Sequence, residues 1–169
     1  RTKEEERLEK LVNFSCERLN IKRFVCWDCV SGIKGLINVQ GKFSNNPLGV
    51  LNWLKEQSSE VSTVLLVKDF HKFYDDPSIN RTIKELSSAL TETSHNLIIS
   101  SHLFPSSEDL DELMTIVTLP LPDQKELKKL IKNIAINTNS NLEERDLNEL
   151  SVASSGLTEI KVKQVTAKA

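Results

Sequence analysis

Three short, continuously apolar segments separated by stretches of helical period constrain this chain more than any other feature. Arg23-Phe24-Val25-Cys26-Trp27-Asp28, Thr63 to Val67 and Asn96 to Ser101 are too short for stable helices and rich in strand-forming side chains. None alternates apolar with polar residues, so both faces of each strand must be covered. Between them the period changes. Leu8, Leu11, Val12, Ser15 and Leu19 recur at helical spacing, as do Leu48, Leu51 and Leu54, and then Ile79, Ile83, Leu86 and Leu90. Strands alternating with helices in this way predict an α/β fold with a mostly parallel sheet and helices on both faces.

Local signals place the ends of these elements. Thr2 and Glu5 have the spacing of a capping box, which predicts a helix from near Lys3. Asn46 before Pro47, and Asp76 before Pro77, are start signals for two more helices. Residues 31–46 hold Gly32, Gly35, Gly41 and Asn45-Asn46, and are expected to be a loop. Ser107 to Met114 is expected to form a short helix and Thr115 to Leu119 a fourth strand. Pro120 and Pro122 then break the pattern, and all later signals are helical. Asp123 and Glu126 form a second capping box, followed by Leu127, Leu130, Ile131 and Ile134. Leu147 and Leu150 mark a further helix stopped by Gly156, and Thr158 can cap a last one. The expected division is an α/β body over 1–121 and a small all-helical lid over 122–169.

Composition removes several functional classes. Lys and Arg total 22 against 24 acidic residues, a net charge of −2, which disfavours nucleic acid as the main partner. Lys125, Lys128, Lys129 and Lys132 share one helix side and are the best basic candidate, but such a row is usually a solvated face. No apolar run approaches the ~18 residues of a membrane span. Three cysteines make no disulfide scaffold and suit a reducing compartment. The opening Arg1-Thr2-Lys3 is neither a start methionine nor a signal peptide, and reads as a cut from something longer.

Ligands of open parallel sheets bind at the carboxyl ends of the strands. There the sequence places Asp28, Asp69 with His71, and Ser100-Ser101-His102. Carboxylates and imidazoles on one edge can bind Mg²⁺ or act as acid and base; an Asp at a strand end can equally just cap the next turn. Three nearby motifs are weaker. Gly35 to Ser44 resembles a phosphate-binding loop, but five residues separate Gly35 from Gly41, and Phe43 replaces the Mg²⁺-binding hydroxyl. Cys26-Trp27-Asp28-Cys29 is a CxxC, yet Cys26 lies inside a strand rather than at a helix start, which predicts structural thiols. Leu65-Leu66-Val67-Lys68-Asp69 has the form of a Walker B strand, but Phe70 stands where an ATPase normally carries its catalytic Glu. His95, just before a strand, is expected at a surface turn.

Val25-Cys-Trp-Asp28, Asn46-Pro-Leu-Gly49, Leu66-Val-Lys-Asp-Phe-His71, Leu119-Pro-Leu-Pro122 and Ser155-Gly-Leu-Thr158 occur in that order. The ordered set resembles the amino-terminal half of the plastid and cyanobacterial AAA+ family called hypothetical chloroplast reading frame forty-six. The resemblance implies a RecA-like, AAA+-like body that can lack its first strand, followed by a helical lid. It implies a degenerate module whose later neighbour in the same protein is an ordinary AAA+ ATPase, often assembled as a ring. It also implies a soluble protein of the chloroplast stroma or the cyanobacterial cytoplasm.

Laid on that order, the P-loop position falls at Arg1 to Glu6, where there is no glycine and three carboxylates would repel phosphate. Asp69 matches the Walker B Asp, Ser100 or Ser101 the sensor-one position, and the arginine finger and sensor-two arginine have no match. The expectation is a non-catalytic AAA+-like module serving as an interaction, regulatory or assembly platform. No cofactor is expected for this chain, with Mg–ATP belonging to the intact protein. The first alternative is a weak Mg–ATP sensor or ATPase domain, with Asp69 holding Mg²⁺ and Asp28, His71, Ser100 and Ser101 around the nucleotide. The second is a degenerate clamp-loader-like module that processes DNA.

Overall fold

The computed structural model describes residues 2, 4–102, 110 and 112–166. The chain divides into two compact units, Arg1–Thr118 and Leu119–Ala169.

In the first unit α1 (Glu5–Arg18), β1 (Arg23–Asp28), β2 (Gly32–Lys34), α2 (Pro47–Lys55), β3 (Thr63–Lys68), α3 (Pro77–Thr91) and β4 (Asn96–Ser100) follow in order. Short 3-10 turns lie at Ile37–Val39 and Phe70–Phe73. The sheet order is β2-β1-β3-β4. β1, β3 and β4 are parallel, and β2 runs antiparallel to β1. The three apolar runs of the sequence are thus the three parallel strands.

Register explains the lack of alternation in those runs. Val25 lies beside Leu65 and Leu65 beside Leu97, while Cys26, Leu66 and Ile98 form the next row. Successive side chains point to opposite faces. Val25, Trp27, Leu65 and Val67 therefore pack with Leu51 and Leu54 of α2 and Ile79, Ile83 and Leu86 of α3. The other face is covered by α1, which contacts β1 and β3. Trp27 forms edge-on ring pairs with Phe70 and Phe73, at 5.7 and 6.0 Å, and Tyr74 lies 6.3 Å from Phe70. The Trp27 Nε1–H donates to the Phe43 carbonyl at 2.8 Å, which satisfies the polar end of a buried indole.

Helices α2 and α3 start where the sequence signals them. Asn46 Oδ1 accepts from the Gly49 amide, and Asp76 Oδ1 from the Ser78 amide, each at 2.8 Å with proline following the cap. α1 differs. Its expected capping box is not made: Thr2 Oγ1 accepts from the Glu4 amide at 2.9 Å, and the helix begins at Glu5. The Thr2 amide is itself tied to the Ser101 carbonyl at 3.0 Å, which holds Thr2 against the end of β4 rather than over the first helical turn. The apolar stripe of α1 is also left partly open, with Phe14 55% and Leu19 72% exposed.

Three further expectations are corrected. Residues 31–46 are not a plain loop, because they contain β2. Asp28 Oδ1 accepts from the Val30 and Ser31 amides and turns the chain back. The Ile33 amide then donates to the Lys42 carbonyl and the Gly41 amide to the Ile33 carbonyl. Gly32 sits at φ +67°, where a Cβ would come within 2.4 Å of the Lys42 carbonyl oxygen, so only glycine fits this approach. The expected strand over Thr115 to Leu119 is absent, and residues 114–123 hold neither strand nor helix. Strand propensity needs a paired edge, and among the described residues β4 is paired only with β3. His95 is not a surface residue: it is 4% exposed, with its Nε2 3.3 Å from the Gln57 carbonyl. Of the helix expected over 107–114, residues 107–109 and 111 lie outside the described residues; Leu110 is helical and fully buried, and Glu112 to Met114 are not helical.

The second unit is α4 (Gln124–Asn137), α5 (Glu144–Ala153) and α6 (Glu159–Thr166), packed around Leu127, Ile131, Leu147 and Val162. The Asp123–Glu126 capping box is formed in both directions, at 2.8 and 3.0 Å. Gly156 follows α5 at φ +81°, and Thr158 Oγ1 accepts from the Lys161 amide at the start of α6. Lys128 of the basic row is taken up by Glu144 and by Asn148, the latter at 2.7 Å.

Phe70, with no exposed surface, joins its three aromatic neighbours, Trp27, Phe73 and Tyr74, to the α2–α3 core. Phe70→Ala is expected to destabilise the first unit by ~3–5 kcal/mol, read as a lowered midpoint in urea unfolding.

Candidate functional site

The carboxyl ends of β1, β3 and β4 carry the residues that the sequence singles out, and the structure separates them into two groups. Asp28 is spent on the β1–β2 turn. Besides the two amides it accepts, its Oδ2 is 3.0 Å from Lys34 Nζ. Burial works against its ionisation, but the Ser31 amide and Lys34 outweigh burial and hold its pKa below the usual carboxylate range. It does not join the other candidates.

Asp69, His71 and His102 do come together. β3 ends at Lys68, and Asp69 takes the left-handed conformation, φ 51° and ψ 25°, uncommon for a residue with a side chain. Its amide donates to the Ser100 carbonyl at 3.1 Å, which ties the end of β3 to the end of β4. The sharp turn drives Phe70 into the core and leaves the Asp69 side chain 56% exposed. His71 then falls back beside it, with Nδ1 3.8 Å from Asp69 Oδ1. His102, two residues past β4, meets the His71 ring edge-on at 5.2 Å. One ligand atom from each of the three residues lies within 4.8 Å of the others. The His71 side chain is 7% exposed and neither ring nitrogen has a hydrogen-bond partner. Burial, against the pull of Asp69, lowers its pKa and favours the neutral imidazole.

Ser100 is 2% exposed and its Oγ has no partner; the Ser101 carbonyl receives the Thr2 amide. That last bond brings the start of α1 to the same edge. Glu5 stands there under the field of Asp69 and Asp28, and its pKa is raised, first by burial and then by Asp69, with Lys68 pulling the other way. Lys68 itself is held by Glu9 at 2.6 Å. Glu4 is 3% exposed and bonded to Arg7 at 3.2 Å. The Glu9–Lys68 pair is a part of the edge that spacing alone does not reveal; the signal is that Glu5 and Glu9 stand one helical turn apart.

The two weaker motifs are structural in this geometry. The Gly35–Ser44 segment closes onto β2 and β1 through Gly41, Lys42 and Phe43, and the α2 amide at Gly49 is already taken by Asn46. Cys26 is buried inside β1, and burial pushes its thiol up to about 12.

Residues 1–119 match the family described as "SpoVK-like AAA ATPase, N-terminal domain". The "Uncharacterized AAA domain-containing protein ycf46" of Guillardia theta is 30% identical over 167 residues, covering 99% of this chain and 33% of that protein. Its namesake in Gracilaria tenuistipitata var. liui is 30% identical over 168 residues, with 98% and 34% covered. The chain thus spans about a third of the length of these relatives. Among solved structures, the "FIGL-1 AAA domain in complex with ADP" matches with a TM-score of 0.59 at 9% identity, covering 84% of this chain and 49% of that one. This likeness carries the fold alone. No helix among the described residues is long and apolar enough to cross a membrane. The chain belongs to the SpoVK-like AAA ATPase N-terminal domain family.

Proposed function

We propose that this chain is a non-catalytic AAA module, a platform that binds or regulates an AAA ATPase module carried in the same protein. The observation that carries the reading is Phe70. The residue after the Walker B-like Asp69, where an ATPase of this class keeps the Glu that polarises water, has no exposed surface and is packed among Trp27, Phe73 and Tyr74. A carboxylate there would bury a charge among aromatic rings, which is costly.

Electrostatics supports the same reading. Phosphate in this fold needs unsatisfied amides and positive charge at the carboxyl edge. Here Glu5, Glu9, Asp28 and Asp69 share one field, Lys68 is paired with Glu9, and Arg7 with Glu4. The exposed apolar residues Phe14 of α1 and Leu19 just after it suit a surface that packs on another module. Relatives about three times as long supply room for such a neighbour in the same protein. In this reading Mg–ATP is the ligand of the neighbour, in a chloroplast or cyanobacterial setting.

Thermal unfolding with and without millimolar Mg–ATP tests the proposal. Occupancy at about 100 times the dissociation constant adds ~2.7 kcal/mol, a shift of several degrees. The expected result is no shift. A shift abolished by Asp69→Ala would replace the platform reading with a Mg–nucleotide sensor.

The acidic edge makes a separate prediction. Glu5 has a raised pKa, so its ionisation costs more in the folded chain than in the unfolded one. Glu5→Gln is therefore expected to raise the melting temperature at neutral pH. The gain should fade as pH falls through the raised pKa and vanish below the ordinary value of 4.5, where Glu5 is protonated in both states.

The platform surface is checked by Phe14→Asp and Leu19→Asp, each expected to change stability by no more than about 0.5 kcal/mol because both sites are exposed. Both should weaken co-purification with the ATPase module of the same protein. Retained binding in both variants would move the contact away from α1.

A further inference from the structure

We propose that Asp69, His71 and His102 form a binding site for a zinc-class divalent cation that pins the turn after β3 to the end of β4. The inference goes beyond the platform reading and does not depend on it.

Three observations carry it. The first is convergence: one carboxylate and two imidazoles present ligand atoms within 4.8 Å of one another. Donors on a single tetrahedral Zn²⁺, at ~2.0–2.2 Å from the ion, stand about 3.4 Å apart, so small side-chain rotations suffice. The Asp69–His71 pair, at 3.8 Å, is nearly there already. The second is the state of His71. A side chain only 7% exposed, with both ring nitrogens lacking a hydrogen-bond partner, is costly unless something satisfies it. An ion between the three residues accepts one of those nitrogens as a ligand. The third is the turn itself. The left-handed backbone at Asp69 and the hydrogen bond from its amide to the Ser100 carbonyl aim one carboxylate at a histidine two residues past β4.

Donor chemistry selects the metal. Mg²⁺ demands near-octahedral oxygen ligands and favours carboxylates, phosphates and water. Two imidazoles with one carboxylate suit Zn²⁺, with a fourth position open to water on the exposed side of Asp69. The aspartate that a nucleotide-binding relative would turn toward Mg²⁺ would serve a different ion here.

The test is titration of the tag-free chain with Zn²⁺, and with Co²⁺ as a spectroscopic stand-in, in the absence of nucleotide. One equivalent is expected to bind, to raise the melting temperature by several degrees, and to give a tetrahedral Co²⁺ spectrum without a thiolate charge-transfer band. His102→Ala and Asp69→Asn are each expected to weaken binding at least tenfold while circular dichroism stays unchanged. His71→Ala should do the same, and because His71 is buried the first two variants decide the matter if it fails to fold. Absence of saturable binding overturns the site. So does binding that survives both His102→Ala and Asp69→Asn, or that is lost only in Cys29→Ser. Because no nucleotide is present, a negative result leaves the platform reading untouched, and a nucleotide-dependent melting shift that survives Asp69→Ala leaves this one untouched.

Discussion

β3 is hydrogen-bonded along both edges and covered on both faces, and the first unit is arranged around that fact. Thr63 to Val67 are all buried, so no group of this strand turns to water until Lys68. An interior parallel strand of this kind requires a crossover on each side and helices above and below. α2 returns the chain from β1 to β3, α3 returns it from β3 to β4, and α1 closes the opposite face. The same burial sets the polar edge: the first residues past the covered strand, Lys68 and Asp69, are where charge can first appear.

Charge at that edge is acidic, and the basic side chains beside it are already engaged. α1 brings Glu4, Glu5 and Glu9 to the strand ends, and the neighbouring Arg7 and Lys68 are engaged by Glu4 and Glu9. An edge of this composition favours cations over phosphates. The platform proposal and the cation-site proposal draw on this one electrostatic fact in different ways, the first through what it repels and the second through what it attracts.

Much of this arrangement is legible in the sequence because it is local or purely apolar. The parallel strands show as short unbroken apolar runs, and Asn46-Pro47, Asp76-Pro77 and Asp123 with Glu126 mark helix starts that the structure reproduces. Features that depend on a distant partner are not legible. β2 is three residues long and exists only because the Asp28 turn and the Gly32–Lys42 approach fold it onto β1. Thr115 to Leu119 has strand composition and is no strand, since composition does not supply an edge. Thr2 has the right spacing for a cap, but a backbone bond to Ser101 holds it elsewhere. At the candidate site, topology predicts that Asp28, Asp69, His71 and His102 share an edge. It does not predict that Asp28 is consumed by its own turn while the other three converge.

The buried ring at position 70 also bears on how such a domain can change over time. A Glu introduced there would have to enter a space shaped for an aromatic ring, beside Trp27, Phe73 and Tyr74. The step would lose core packing and bury a charge at once, a combined penalty comparable to the whole stability of many small domains. A carboxylate is therefore costly to place at position 70 by a single substitution. On the platform reading proposed above, the aromatic core would act as a ratchet: selection can refine the surfaces of the domain freely, while any route to an acid at position 70 carries this penalty.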